Sequence, residues 1–156
     1  TKKLSIMKFT RELTNGIIIF LGIGIYFLIL DFLKLSDLFI LRIFNILIVA
    51  YGVNRSIKSN QAEGIRGYYT NFISGVITSM IGALLSVAAL LAYISYKGGE
   101  AYLTNLADSF IFGGGEPNLS YYCIGLLFES TAASLIVSFV LMQYWKDKVE
   151  VINKVD

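Results

Sequence analysis

Histidine is missing from this chain altogether. That removes the commonest metal ligand, the usual haem ligand and the usual general base. Cysteine occurs once, at Cys123, so an internal disulfide and a thiolate cluster are both excluded. A lone thiol in a helix reads as a small buried hydrophobe. Proline also occurs once, at Pro117, which leaves the long helices without proline kinks. Charge is scarce: 15% of residues are charged, the net charge is +2, and the basic residues form no single stripe. Nucleic acid is therefore not an expected partner. No metal site, no cofactor and no catalytic constellation is expected, and the chain reads as non-enzymatic.

What the chain has in abundance is apolar surface. Its 156 residues are 56% hydrophobic, more than a soluble domain of this size can keep from water. Lipid is the solvent this composition calls for. The expected fold is all-α: a single membrane domain, 1–156, built as an integral-membrane four-helix bundle. Its spans are expected at about 13–33, 38–53, 68–96 and 121–145. The first run is too long for the ~7–15-residue core of a signal peptide and no A-x-A site follows, so it reads as a retained span.

Ahead of it, Lys2, Lys3, Lys8 and Arg11 interleave with Leu4, Ile6, Met7 and Phe9. That pattern fits the basic flank of a span, or a short interfacial helix. The turn Lys34–Asp37 is short enough to force an antiparallel second span. That second span holds Arg42 and Asn45, and Asn54–Gly67 reads as a solvent-exposed connection with Gly64 and Gly67 as turn formers. The third span carries a face of small residues, Gly75, Ser79, Gly82, Ser86 and Ala89. Such faces let helices approach closely in lipid, either within one chain or across a dimer. Ala101–Phe112 reads as a short amphipathic helix in the outer loop, with Leu103, Leu106 and Phe110 on one face. Gly113–Pro117 then turns the chain back; no GK[ST] follows, so the glycine triplet is not a phosphate loop.

The fourth span, YYCIGLLFESTAASLIVSFVLMQYW, runs from Tyr121 to Trp145 without Lys, Arg, Asp or Pro. A hydrocarbon core of ~30 Å needs ~20 residues, so this run is long enough to cross. Ser130, Ser134 and Ser138 form a second small face. The aromatic pairs Tyr121–Tyr122 and Tyr144–Trp145 are expected at headgroup level. The tail from Lys146 is mixed in charge.

Four spans put both ends of the chain on one side. Lys2, Lys3, Lys8, Arg11, Arg55, Lys58, Arg66, Lys146, Lys148 and Lys154 fall there, against only Lys34 and Lys97 opposite. By the positive-inside rule both termini are expected in the cytoplasm.

One acid, Glu129, lies deep in the fourth span, ~12 Å below Tyr121 by helix rise. The same depth falls at Tyr26, Asn45 and near Ser86, with Arg42 a turn above Asn45. A charge at the centre of a span costs at least ~2.5–3.5 kcal/mol, so intramembrane charges face inward and pair. Arg42 with Glu129 is the preferred pair. Asp31 and Asp37 compete for Arg42, and Asp31 is also near enough to the headgroups to be hydrated. The resulting cluster, Arg42, Glu129, Asn45, Ser86, Tyr26 and Asp31, has two readings. One is a clamp fixing helix packing. The other is a proton or ion site, since an unpaired carboxylate surrounded by lipid takes a proton at neutral pH. Thr14-Asn15 against Thr70-Asn71, and Leu47–Tyr51 against Leu135–Phe139, hint at a duplicated hairpin.

The basic segment leading into the third span, the amphipathic outer loop and the pattern FESTAASLIVSFVLMQYWKD resemble a family of small uncharacterised four-helix membrane proteins common in Bacteroidota. The resemblance covers roughly Arg42 to Lys148. It implies a bacterial inner-membrane location and four helices, and carries no activity or ligand. The function expected from the sequence is that of an accessory or scaffolding subunit of a larger membrane complex, its partners lipid and other membrane subunits or itself. The alternative is a small proton- or ion-coupled transporter, working as an oligomer through Glu129 and Arg42.

Overall fold

A computed structural model describes residues 2–36, 38–107 and 118–148. Within them the chain is all-helical: α1 (Lys2–Phe32), α2 (Phe39–Arg42), α3 (Asn45–Ala62), α4 (Tyr68–Lys97), α5 (Glu100–Ala107) and α6 (Leu119–Trp145), with a 3-10 turn at Lys146–Lys148. Four stretches are long and apolar enough to cross a membrane: Phe9–Phe32, Ile40–Ala62, Tyr68–Lys97 and Leu119–Lys148. Asp37, residues 108–117 and the tail from 149 lie outside the described residues, so the glycine turn and most of the expected outer amphipathic helix do too. Its described portion is α5. The basic flank of the first span is no separate element: α1 runs through it from Lys2.

The helix ends follow local chemistry. Lys34 adopts a left-handed conformation (φ 56°), which lets Leu35 N bond back to Leu30 O at 2.8 Å and close α1. Gly64 does the same for α3 at φ 80°, where Ile65 N reaches Asn60 O at 2.9 Å. At the start of α6 the Asn118 side chain accepts from Ser120 N and Tyr121 N, satisfying two of the helix's unpaired donors.

α4 packs against α1, α3 and α6, and α3 packs against α1 and α6. The bundle is thus a four-membered ring in the order α1, α3, α6, α4, with α3 and α4 touching across its short diagonal. At the end that carries the start of α1 and the finish of α6, here the terminal half, contact is close. A Cβ on Gly82 would sit 2.6 Å from Ile19 Cγ2, and one on Gly75 would sit 2.9 Å from Val53 Cγ1. Ile19, held between Gly82 of α4 and Gly52 of α3, is fully buried. Val53, Ile57, Val137, Met142 and Trp145 form the adjoining core. The expected small-residue faces are spent here only in part: Gly75 meets Ser138, and Ser79, Gly82, Ser134 and Ser138 are buried, while Ser86 and Ser130 are half-buried and Ala89 is exposed.

Two expectations fail in this half. Asn54–Gly67 is not a solvent-exposed connection. Helix α3 continues to Ala62, Ser56, Ile57 and Asn60 are fully buried, and only Glu63–Gly67 links α3 to α4. The polarity of Ser56 and Asn60 marks an inward face of α3, while Arg55 and Lys58 are exposed on its other side. Trp145 likewise is not a headgroup anchor. It packs in the core and its indole N–H donates to Asn54 Oδ1 at 2.8 Å, while Tyr144 points outward. Adjacent helix residues sit ~100° apart, so one ring of each aromatic pair turns inward. Tyr122 is buried and Tyr121 exposed for the same reason.

Candidate functional site: a polar chamber in the far half of the bundle

In the opposite, far half the helices separate. They enclose a cavity of about 680 Å³ to which all four spans contribute walls. Most of its lining is apolar, including Phe20, Phe27, Val49, Leu90, Leu126 and Val137. The polar groups in it are few: Ser36, Arg42, Asn45, Ser86, Glu129 and Ser130, with the rings of Tyr26, Tyr93 and Tyr122. Its lower end is reached by Ser79 and Ser134. A cavity of several hundred Å³ with apolar walls and a handful of convergent polar groups is the usual form of a small-molecule site.

The charged pair is at the heart of it. Arg42 Nη2 stands 3.5 Å from Glu129 Oε2, with the two side chains 18% and 35% exposed. That is longer than the ~2.7–2.9 Å of a tight charge-assisted bond, so the pair is associated but not locked. Asn45 Oδ1 and Ser86 Oγ are buried without a hydrogen-bonding partner among the described residues. Unpartnered buried atoms also occur outside the cavity, at Asn60, Gln61, Asn71, Ser74 and Ser138, so it is the charged pair beside Asn45 and Ser86 that sets the chamber apart.

Arg42 and Asn45 flank a change in winding. Between α2 and α3 the backbone takes i to i+3 bonds: Phe44 N to Leu41 O at 3.2 Å, Ile46 N to Ile43 O at 3.0 Å and Leu47 N to Phe44 O at 3.0 Å. A 3-10 stretch inside a spanning helix is a common form of hinge. Neither Gly nor Pro occurs there, so local composition carries no warning of it. Tyr26 holds the first piece in place by donating to Leu41 O at 2.9 Å.

Asp31 is not part of this cluster. Its carboxylate accepts from Tyr93 (2.6 Å) and Tyr102, and Lys97 Nζ lies 3.6 Å away. These contacts tie α5 to α1 and α4 above the chamber, and Leu103 of α5 is fully buried against Ile94, Tyr122 and Leu126. Burial, and then the Asp31 carboxylate, push the Tyr102 phenol above its ordinary range, so it stays a donor at neutral pH. The competition of Asp31 for Arg42, open in the sequence, is settled by these tyrosines.

Sequence reasoning missed a second polar assembly, in the terminal half. Asn15 Nδ2 donates to Ser56 Oγ at 2.8 Å, and Ser56 Oγ is 2.9 Å from Thr78 Oγ1, all three buried. One turn nearer the end, Arg11 bonds Asn60 and Glu63. The signal was present as polar residues at helical spacing: Arg11 and Asn15 in α1, Ser56, Asn60 and Glu63 in α3, Ser74 and Thr78 in α4. This seam begins beneath the floor of the chamber, since Thr78 adjoins Ser79 in the chain, and it closes the bundle toward the terminal end.

Among the described residues no group of His, Cys, Asp or Glu is placed to hold a metal ion. Comparison with known protein families, with curated proteins and with solved structures finds no match.

Proposed function

We propose that this chain is a small multi-pass protein of a bacterial inner membrane, with both termini in the cytoplasm. Its bundle carries a small solute through the far-half chamber, coupled to protonation of Glu129. The observation that carries the reading is the loose Arg42–Glu129 pair, set in the chamber beside the hinge of the second span. Carriers place their sites near mid-membrane, at interruptions of spanning helices. In this reading the chamber faces the outside, and the polar seam is the closed gate toward the cytoplasm. A proton on Glu129 frees Arg42 for a solute, and loss of that proton restores the pair. All four spans of one chain line the chamber, and its wall residues Leu28, Ile43, Ile46 and Ile136 also reach the surface.

For the accessory-subunit reading, Gly75, Ser79, Gly82, Ser134 and Ser138 are buried within the chain, and Ala89 is the exposed part of those faces. The test is reconstitution into vesicles with an internal pH indicator and an imposed pH gradient. Wild type should dissipate the gradient and Glu129→Gln should not, with equal incorporation and melting temperature. Equal flux from both would sink the carrier reading. Stoichiometric co-purification with a large partner from native membranes in mild detergent would favour the accessory subunit instead.

A further inference from the structure

At the terminal end a separate pocket of about 410 Å³ opens between α1 and α3, lined by Thr10, Arg11, Thr14, Asn15, Arg55, Ser59 and Glu63. Its charges are not equivalent. Arg11 is committed to Glu63 and Asn60, and so neutralises the acid in the lining. Arg55 is exposed and has no ion-pair partner among the described residues. Ser59 stands one helical turn from Arg55, so the two side chains share a face of α3. The pocket therefore presents one uncompensated guanidinium beside a hydroxyl. From Thr14, the same face of α1 continues through Leu21 and Ile25, 51% and 59% exposed. From Arg55, the same face of α3 continues at spacings of four through Tyr51 and Leu47, 59% and 64% exposed. A cationic mouth thus opens at one end of a two-helix apolar track.

We infer that this pocket binds the phosphate of an anionic phospholipid, with Arg55 and Ser59 on the headgroup and the apolar track of α1 and α3 along an acyl chain. Basic pockets between spanning helices are recurrent sites for anionic headgroups, and the planar guanidinium fork suits phosphate oxygens. The net positive lining selects an anionic lipid over a zwitterionic one. The inference rests on the membrane reading above but not on the carrier reading, since Arg55 and Ser59 lie outside the chamber.

The experiment places the full chain in nanodiscs of phosphatidylcholine with a minor fraction of phosphatidylglycerol. Lipid retained on the released protein is counted by native mass spectrometry. Wild type should retain phosphatidylglycerol well above its share of the bilayer. Arg55→Gln should lower that enrichment about tenfold and Ser59→Ala by a smaller factor, both with unchanged melting temperature. Lys58→Gln removes a neighbouring exposed cation outside the pocket and should leave the enrichment intact. Equal losses from Arg55→Gln and Lys58→Gln would show only a diffuse basic surface and overturn the site. Displacement of the lipid by excess inorganic phosphate would assign the pocket to the free anion and overturn the lipid source. Failure of the chain to enter nanodiscs at all would count against the membrane reading itself.

Discussion

The two halves of the bundle solve the same problem in opposite ways. Each must bring polar side chains into a helical interior. In the terminal half Asn15, Ser56 and Thr78 satisfy one another directly, and glycine contacts draw the helices together around Ile19. In the far half Arg42 and Glu129 meet at 3.5 Å across open space, and Asn45 and Ser86 are left with unpaired atoms. The terminal network is direct but incomplete, since Asn60 Nδ2, Gln61 Nε2, Asn71 Oδ1, Ser74 Oγ and Ser138 Oγ are also buried there without a partner among the described residues. The difference is one of spacing: glycine contacts close the terminal half, while in the far half a charged pair faces open space, the kind of concession a fold makes at a functional site.

Substitutions at matched positions test this difference. The largest effect should come from glycine. A Cβ at Gly52 would collide with Ile19, whereas one at Gly24, in the chamber wall, would meet nothing within 4 Å. Gly52→Ala should cost about 1–3 kcal/mol as overpacking, read as a lower melting temperature in detergent. Gly24→Ala should instead add up to about 1 kcal/mol, because alanine is the better helix former. Similar losses at both positions would erase the distinction between the halves.

Next in size is the serine pair. Ser56→Ala strands Asn15 Nδ2 and Thr78 Oγ1 in the interior and should cost about 1–3 kcal/mol. Ser86→Ala removes an atom that has no partner and should leave stability unchanged or raise it by up to about 1 kcal/mol. Equilibrium unfolding of the two variants side by side decides between these outcomes.

For the ion pair the expected stability change is smaller still. Glu129 is 35% exposed and its contact with Arg42 is long, so Glu129→Gln should shift stability by less than about 1 kcal/mol. A loss of several kcal/mol with intact flux would make the pair a packing clamp. The last effect lies in the turn that closes α1. Lys34 occupies a left-handed conformation that costs a side-chain-bearing residue about 1 kcal/mol, so Lys34→Gly should raise stability by about that much and leave flux alone. A fall in melting temperature would mean that the lysine side chain contributes more than its backbone costs.

Much of this was legible in the chain. Length and hydropathy marked four helices because a run of some twenty apolar residues has few other uses. Counting helix rise from Tyr121 brought Tyr26, Asn45 and Ser86 to the level of Glu129 with Arg42 a turn above Asn45, and the structure puts the Arg42 and Glu129 side chains at 3.5 Å. The same habit misread Asn54–Gly67, because hydropathy treats every polar residue as a step toward water. Ser56 and Asn60 are polar because they face Asn15, Thr78 and Arg11, partners far away in sequence. Asp31 was misjudged for the same reason: nothing near it in the chain announces Tyr93 and Tyr102.

By itself, then, the sequence determined that four long apolar stretches form helices and that charge is scarce among them, since these follow from local composition and the fixed rise of a helix. Tertiary structure decided which polar residues are satisfied and which are left in a chamber, where the second span changes its winding, and which ring of each aromatic pair turns inward. Those outcomes depend on the rotation of each helix about its own axis. That rotation is set by the contact of Ile19 with Gly52 and Gly82 and of Gly75 with Ser138, between helices that meet only when the bundle is assembled.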